Sequence, residues 1–318
     1  MLKINPLSTL YVGIDVSSKS NYVCALDFYK NKYINSSFAN NQPGAEELAL
    51  KILECLKEHP DITTIVAALE STSVYSIHIA NYLSSCEELM RFKPYVFVLN
   101  PKCTANYKKS YIGLGKSDPI DAFVIADYAR AGNIESEPWR GSQFLALKRL
   151  TRHRLHLVEC MTREKTYLVS NLYLKFSELQ MLEGDDQPFC DIYGATSSSV
   201  LMEYFSPEEI LDSSEEDLIA FLAKKSRNRI KDISKTADLL KKAARDSYRL
   251  DKALYEPLNV SIASSFNCIE TFKREIKVID NAIEKEIKGL NPNAFIILQS
   301  IDGIGPVFAG GIIAEIEK

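Results

Sequence analysis

The stretch Leu10-Tyr11-Val12-Gly13-Ile14-Asp15-Val16 decides how the first part of this chain folds. It is a short apolar run rich in aromatic and branched residues, the composition of a buried strand, and it carries a single acid in its interior. Residues 22–27 form a second apolar run, and the turn-formers Ser17-Ser18-Lys19-Ser20-Asn21 between the two predict a β-hairpin. A third strand near residues 33–39 completes a meander. Pro43-Gly44 then opens a helix through Leu56, with Leu48, Ile52 and Leu56 at helical spacing. Residues 62–69 (ITTIVAAL) read as a buried strand, followed by a helix over about 74–83. Residues 95–99 are another apolar strand, stopped by Asn100-Pro101. A helix is expected from Pro119 to Ala131, ended by Gly132.

Three antiparallel strands followed by strands alternating with helices predict an α/β domain of the ribonuclease-H type over residues 1–140. Beyond Trp139 the texture changes. No Gly or Pro occurs from 142 to 183, and Leu147, Leu150, Leu157, Met161, Leu168 and Leu172 recur at heptad-like intervals. A matching stripe runs through Ile269, Phe272, Ile276, Ile279, Ile283 and Ile287. The expectation is an all-α coiled-coil region over 141–292, with a small helical insertion at about 184–255 between two long helices. Ile301-Asp302-Gly303-Ile304-Gly305-Pro306 has the glycine spacing of a helix-hairpin-helix turn, in which backbone N–H groups at Gly303 and Gly305 would meet a DNA phosphate. An ordinary tight turn between helices fits the same six residues. Residues 293–318 are read as the start of a further domain.

The 318 residues suit two or three domains, and 46% hydrophobic with 25% charged residues is an ordinary globular balance that excludes a disordered or fibrous chain. No apolar run approaches the roughly 20 residues of a bilayer crossing, and no secretory h-region follows Met1. Seven cysteines without a C-x-x-C pair exclude a zinc ribbon and fit reduced thiols in the cytoplasm. The net charge of -4 is distributed in blocks. Residues 148–175 hold seven basic side chains against two acids, residues 176–223 have twelve acids and no Lys or Arg, and residues 224–252 have eleven basic side chains against four acids. Such blocks are either solvated helix faces or phosphate-holding surfaces. The candidate nucleic-acid contacts are Lys116, Arg152, Arg154, Arg227, Arg229 and Lys231.

Four acids stand at suggestive places. Asp15 lies inside the first strand, where an acid is costly without a partner. Glu70 follows the run Ile65-Val66-Ala67-Ala68-Leu69, at the carboxyl end of a central strand. Asp118 and Asp121, three apart at the start of a helix, share one face. Side-by-side strands covered by that helix would bring all four together. Four carboxylates suit hard divalent ions, Mg²⁺ or Mn²⁺, and two such ions would serve phosphoryl transfer. Each acid also has a plain alternative: Asp118 as N-cap before Pro119, Asp121 in a capping box, Asp15 capping the hairpin, Glu70 paired with Lys19 or Lys116.

Together, Val12-Gly13-Ile14-Asp15-Val16-Ser17, Leu69-Glu70-Ser71-Thr72-Ser73-Val74-Tyr75, Asn100-Pro101 and Lys116-Ser117-Asp118-Pro119-Ile120-Asp121-Ala122 resemble the DEDD-motif insertion-sequence transposases related to the Piv DNA invertase. The segment Ser300-Ile301-Asp302-Gly303-Ile304-Gly305-Pro306 looks like the opening of that family's second domain. The resemblance implies a RuvC-like first domain in which Asp15, Glu70, Asp118 and Asp121 are catalytic and hold the metal. It further implies a coiled coil used in dimerisation and nucleic-acid contact, DNA as substrate, and in some members a structured guide RNA. It also implies a nucleophilic serine in the second domain, and no serine of this chain matches that motif, so the chain is expected to be truncated at the start of that domain. Ser73 and Pro119 depart from the commoner residues at their positions without removing an acid.

Two other functions compete. An actin-like sugar kinase or ATPase also opens with strand–turn–strand and Gly-Ile-Asp, but Val16-Ser17-Ser18 lacks the glycine that lets backbone N–H groups reach a phosphate. The second is a truncated, non-catalytic protein that binds nucleic acid or dimerises, which the basic blocks and heptads allow.

Overall fold

A computed structural model of the chain describes residues 4–139 and 141–316. It divides into two compact units, Met1–Phe144 and Leu145–Lys318. The first is an α/β unit and the second is helical.

The first unit is built on one five-stranded mixed sheet. Its strands are β1 (Thr9–Val16), β2 (Ser20–Leu26), β3 (Lys32–Ala39), β4 (Thr64–Glu70) and β5 (Tyr95–Leu99), in the spatial order β3-β2-β1-β4-β5. The first three form the antiparallel meander, while β1 pairs parallel with β4 and β4 parallel with β5. The helices are α1 (Gln42–Glu58), α2 (Tyr75–Ser85), α3 (Glu87–Met90), α4 (Pro101–Lys108) and α5 (Asp118–Arg130). α1 begins where Asn41 caps it: the Asn41 side chain accepts from the Gly44 amide, with proline in the first turn.

Alternation along the strands sets the layers. Leu10, Val12, Ile14 and Val16 of β1 face a core filled from α1 and α2 by Leu48, Ile52, Ile79 and Leu83. Tyr11, on the opposite face, packs with Val66 and Ala68 of β4 and with Ala122, Ile125, Ala126 and Ala129 of α5. Full burial of Ile125 alone stabilises this contact by roughly 1.5–3 kcal/mol. α5 lies directly against β1 because residue 13 is glycine. A Cβ there would meet the Ala122 carbonyl oxygen at 2.2 Å and the Ala126 nitrogen at 2.3 Å. Trp139, the chain's one tryptophan, packs on the α1–α2 side and donates from its indole to Asn81 Oδ1 at 2.7 Å.

The helical region consists of α6 (Ser142–Lys175), α7 (Ala195–Glu203), α8 (Pro207–Asp212), α9 (Glu215–Ser226), α10 (Ile233–Asp246), α11 (Lys252–Leu290), α12 (Pro292–Gln299) and α13 (Pro306–Ile316). The two long helices run antiparallel: Arg154 of α6 pairs with Asp280 of α11, while Leu168 and Leu172 share a core with Ile262, Phe266 and Ile269. The buried faces follow the predicted stripes, with Leu147, Leu168, Leu172, Ile269, Ile276, Ile283 and Ile287 inside. The first long helix stops at Lys175 and not near 183, because the chain turns into a short 3-10 segment, Ser177–Gln180. The second begins before Pro257 and contains it. Among the described residues no helix is long and apolar enough to cross a membrane. None of the seven cysteines forms a disulfide.

Candidate active site

The parallel register of β1 and β4 places Ile14 beside Leu69, so Asp15 and Glu70 lie one residue further along, at the carboxyl ends of neighbouring strands. By the period of two, Asp15 shares the face of Tyr11 and Gly13, and Glu70 shares that of Val66 and Ala68. That is the α5 side of the sheet. α5 starts at this same end, with Asp118 and Asp121 in its first turn and Ala122 next to them against β1. The N-cap is Ser117, with Asp118 as the first helical residue, so the cap expected at Asp118 moves back by one.

Asp15 is half-buried, and its pKa is raised from 3.8 to about 6. Burial is the largest cause. The negative charges of Asp121, Asp118 and Glu70 follow, and Lys108 opposes them. All three other acids therefore act on Asp15 across the space at the end of the sheet.

Two of the acids are engaged by one helix that the sequence reading missed. Asn100-Pro101 does end β5, but it also starts α4: the Asn100 side chain accepts from the Lys102 amide and Pro101 occupies the first turn. Thr104 and Lys108, four apart and so on one face of α4, reach the acids. The buried Thr104 hydroxyl donates to Glu70 Oε1 at 2.5 Å, and Lys108 Nζ lies 2.5 Å from Asp121 Oδ1. α4 is anchored by Asp127 of α5, a fully buried carboxylate that accepts from the hydroxyls of Tyr107 and Tyr111 and pairs with Lys30 and Arg130. Burial pushes the Asp127 pKa up, but the hydrogen bonds from Tyr111, Arg130, Tyr107 and Lys30 outweigh it and hold it below the usual value.

The expected two-ion pocket is not ready-made. Among the described residues no group of three His, Cys, Asp or Glu side chains is arranged to hold a metal ion as it stands. Thr104 and Lys108 of α4 each take up one oxygen, of Glu70 and of Asp121 respectively. The donor set itself, four carboxylates at one end of a sheet, fits a hard divalent cation such as Mg²⁺ or Mn²⁺.

The candidate phosphate-binding residues fall into four groups. Lys116 is exposed in the loop before α5. Arg152 pairs with Glu315 and Arg154 with Asp280, so both carry partners from within the helical unit. Arg227, Arg229 and Lys231 are exposed in the connection between α9 and α10, Arg227 with a left-handed backbone (φ 52°). Gly303 takes a positive φ of 87° in the turn joining α12 to α13, and Gly305 lies in the same turn. Among the basic residues, Lys175 is the surprise: it is buried, and its ammonium donates to the carbonyls of Leu201 and Tyr204 and to Asn259 Oδ1. Burial lowers its pKa to about 8.

In a comparison with known families, a model of IS110-type DEDD transposases, described as "Transposase", fits residues 12–177, just over half of the chain. The matched span holds all four acids and the whole of α4. No curated protein matches the chain.

Proposed function

We propose, from the premise that the chain belongs to the IS110-type DEDD transposases, that it cleaves and transfers DNA strands with Asp15, Glu70, Asp118 and Asp121 as catalytic residues holding two Mg²⁺ or Mn²⁺ ions. Membership itself makes the chain an insertion-sequence transposase and sets the sugar-kinase reading aside. Divalent ions so held would activate an attacking oxygen and stabilise the leaving one.

The observation that carries this reading is the convergence of Asp15 and Glu70, at the carboxyl ends of neighbouring strands, with Asp118 and Asp121 in the first turn of the helix packed on β1; after burial, the charges of these three acids raise the pKa of Asp15. Repulsion of that kind is relieved by a multivalent cation. The sheet order, with a meander followed by two parallel strands and α5 across β1, supports a ribonuclease-H or RuvC-like catalytic unit over residues 1–140. In this reading Asp15 and Glu70 supply ligands from the rigid strand ends, and Asp118 and Asp121 supply them from the helix that closes over β1. Thr104 orients Glu70 through its hydroxyl.

The helical region over 141–292, read as a coiled coil, serves dimerisation and nucleic-acid contact, and 293–318 opens a C-terminal domain with Gly303 and Gly305 in its turn. Exposed Arg227, Arg229 and Lys231 support a phosphate-holding role for the α9–α10 connection. DNA is the first partner, a structured guide RNA the second, and the cytoplasm the compartment.

The test is a metal-linked thermal shift on the full chain. Mn²⁺ should raise the melting temperature of the wild type, since a ligand that binds only the folded state stabilises it. The double variant Asp15→Asn, Asp121→Asn should fold yet show no such shift. A wild type indifferent to Mn²⁺ would mark the chain as a non-catalytic binder of nucleic acid and refute this reading.

A further inference from the structure

Lys108 has a geometry that an ordinary surface ion pair lacks. It is the last residue of α4, its ammonium reaches Asp121 at 2.5 Å, and both side chains are largely covered, at 22% and 27% exposure. It also acts on Asp15, opposing the burial and the three acids that raise the pKa there. Its position is fixed from behind: Tyr107, the preceding residue, and Tyr111, three further on, both bond to buried Asp127. A cation held on Asp121 and acting on Asp15 is a built-in counter-ion.

We propose that Lys108 is a positioning residue that couples metal loading to DNA binding: its ammonium competes with a divalent ion for Asp121 and, once displaced, is free to bind a DNA phosphate. This inference rests on the reading of Asp15, Glu70, Asp118 and Asp121 as cation ligands. The physical argument is one of competition. Asp121 has one carboxylate for two cations, so an ion binding there must break the pair with Lys108. The released ammonium then stands beside the cation site on a helix that Asp127 keeps from swinging away, and a phosphate is the anion a transposase brings to that spot. Thr104 on the same face contributes no charge to this exchange, since its bond to Glu70 is between neutral donor and carboxylate. Binding of Mn²⁺ and of DNA should therefore be mutually reinforcing through Lys108. The factor by which DNA tightens Mn²⁺ must equal the factor by which Mn²⁺ tightens DNA.

The experiment measures free Mn²⁺ by electron paramagnetic resonance during titration of the full chain, with and without a short DNA duplex. The wild type is compared with Lys108→Met, which keeps the aliphatic stem, and Lys108→Arg, which keeps the charge. Trp139 fluorescence during urea unfolding checks that the first unit of each variant is folded. Without DNA, Lys108→Met should bind Mn²⁺ about threefold to tenfold more tightly than the wild type, the range expected from removing a partly screened competing pair. Added DNA should tighten Mn²⁺ binding by the wild type and by Lys108→Arg, and should do so several-fold less for Lys108→Met. A structural salt bridge would give the opposite sign, with lower stability and Mn²⁺ affinity unchanged or weaker in Lys108→Met, and that outcome overturns the inference while leaving the four-acid reading intact. Failure of every form to bind Mn²⁺ overturns that reading, and the inference with it.

Discussion

Replacing Gly13 with alanine tests whether the contact between β1 and α5 is what assembles the acids. The added Cβ would stand 2.2 Å from the Ala122 carbonyl oxygen and 2.3 Å from the Ala126 nitrogen. An ordinary contact needs roughly 3.5 Å, so α5 must retreat by about 1 Å. Both obstacles are backbone atoms of a helix, and no side-chain rotation relieves them. Overpacking of this type costs about 1–3 kcal/mol, and an obstacle made of backbone belongs at the upper end. For a unit of this size, about 3 kcal/mol corresponds to a fall of roughly 10 °C in melting temperature. Urea unfolding followed by Trp139 fluorescence reports on the first unit alone, because the only tryptophan of the chain is packed there. The same displacement moves Asp118 and Asp121 away from Asp15, so Mn²⁺-induced stabilisation should weaken beyond what the lost stability explains. A Gly13→Ala protein that unfolds within 0.5 kcal/mol or so of the wild type, with its response to Mn²⁺ intact, would refute the close approach as the organiser of the site.

Two further outcomes follow from the titration of buried groups. The Asp15 pKa is about 6 when folded against 3.8 ordinarily, so the folded state binds its proton more tightly; the contribution of Asp15 to stability is greatest below pH 4 and declines as pH rises through 6. Asp15→Asn should therefore be more stable than the wild type at pH 7, by about 1 kcal/mol after allowance for solvent screening, and equal to it at pH 4, as read by urea midpoints in metal-free buffer. Lys175 has the other sign: its pKa is lowered to about 8, so the charged form is disfavoured in the fold and stability gains as pH rises from 8 towards 10. Circular dichroism melts of the wild type and Lys175→Met at pH 7.5 and 9.5 should show that gain in the wild type only.

Much of the α/β unit was legible because its strands are continuous apolar runs that neighbouring turn-formers delimit. The acids were legible for the same reason: Asp15 and Glu70 interrupt or end such runs, and a charge in that setting draws notice. α4 was not legible. Its sequence, PKCTANYK, buries only Thr104 and shows no apolar stripe, so Asn100-Pro101 registered as the end of a strand when it was also the start of a helix. With α4 unseen, Thr104 and Lys108 had no place near the acids. Gly13 gave no sign either, since the need for glycine arises from a helix more than 100 residues away. Charge was the least readable property. Arg152 and Arg154 looked like phosphate contacts, yet their partners are Glu315 and Asp280, far along the chain. Lys175 closed a basic block that suggested solvent, and it lies inside the helical core because two carbonyls and an amide oxygen receive it. Side-chain pairing across such distances is a product of the fold and leaves no local mark.

The pairing of the unit's first strand with its last helix has a consequence for synthesis. A nascent chain that has emerged only as far as β5 owns Asp15 and Glu70 but neither Asp118 nor Asp121, and lacks the face that α5 lays over Gly13. The ribosome-bound fragment thus lacks the assembled cluster, as does any piece cut in the loop before α5. The cluster of four acids is complete only once the thirteen residues of that helix lie against β1.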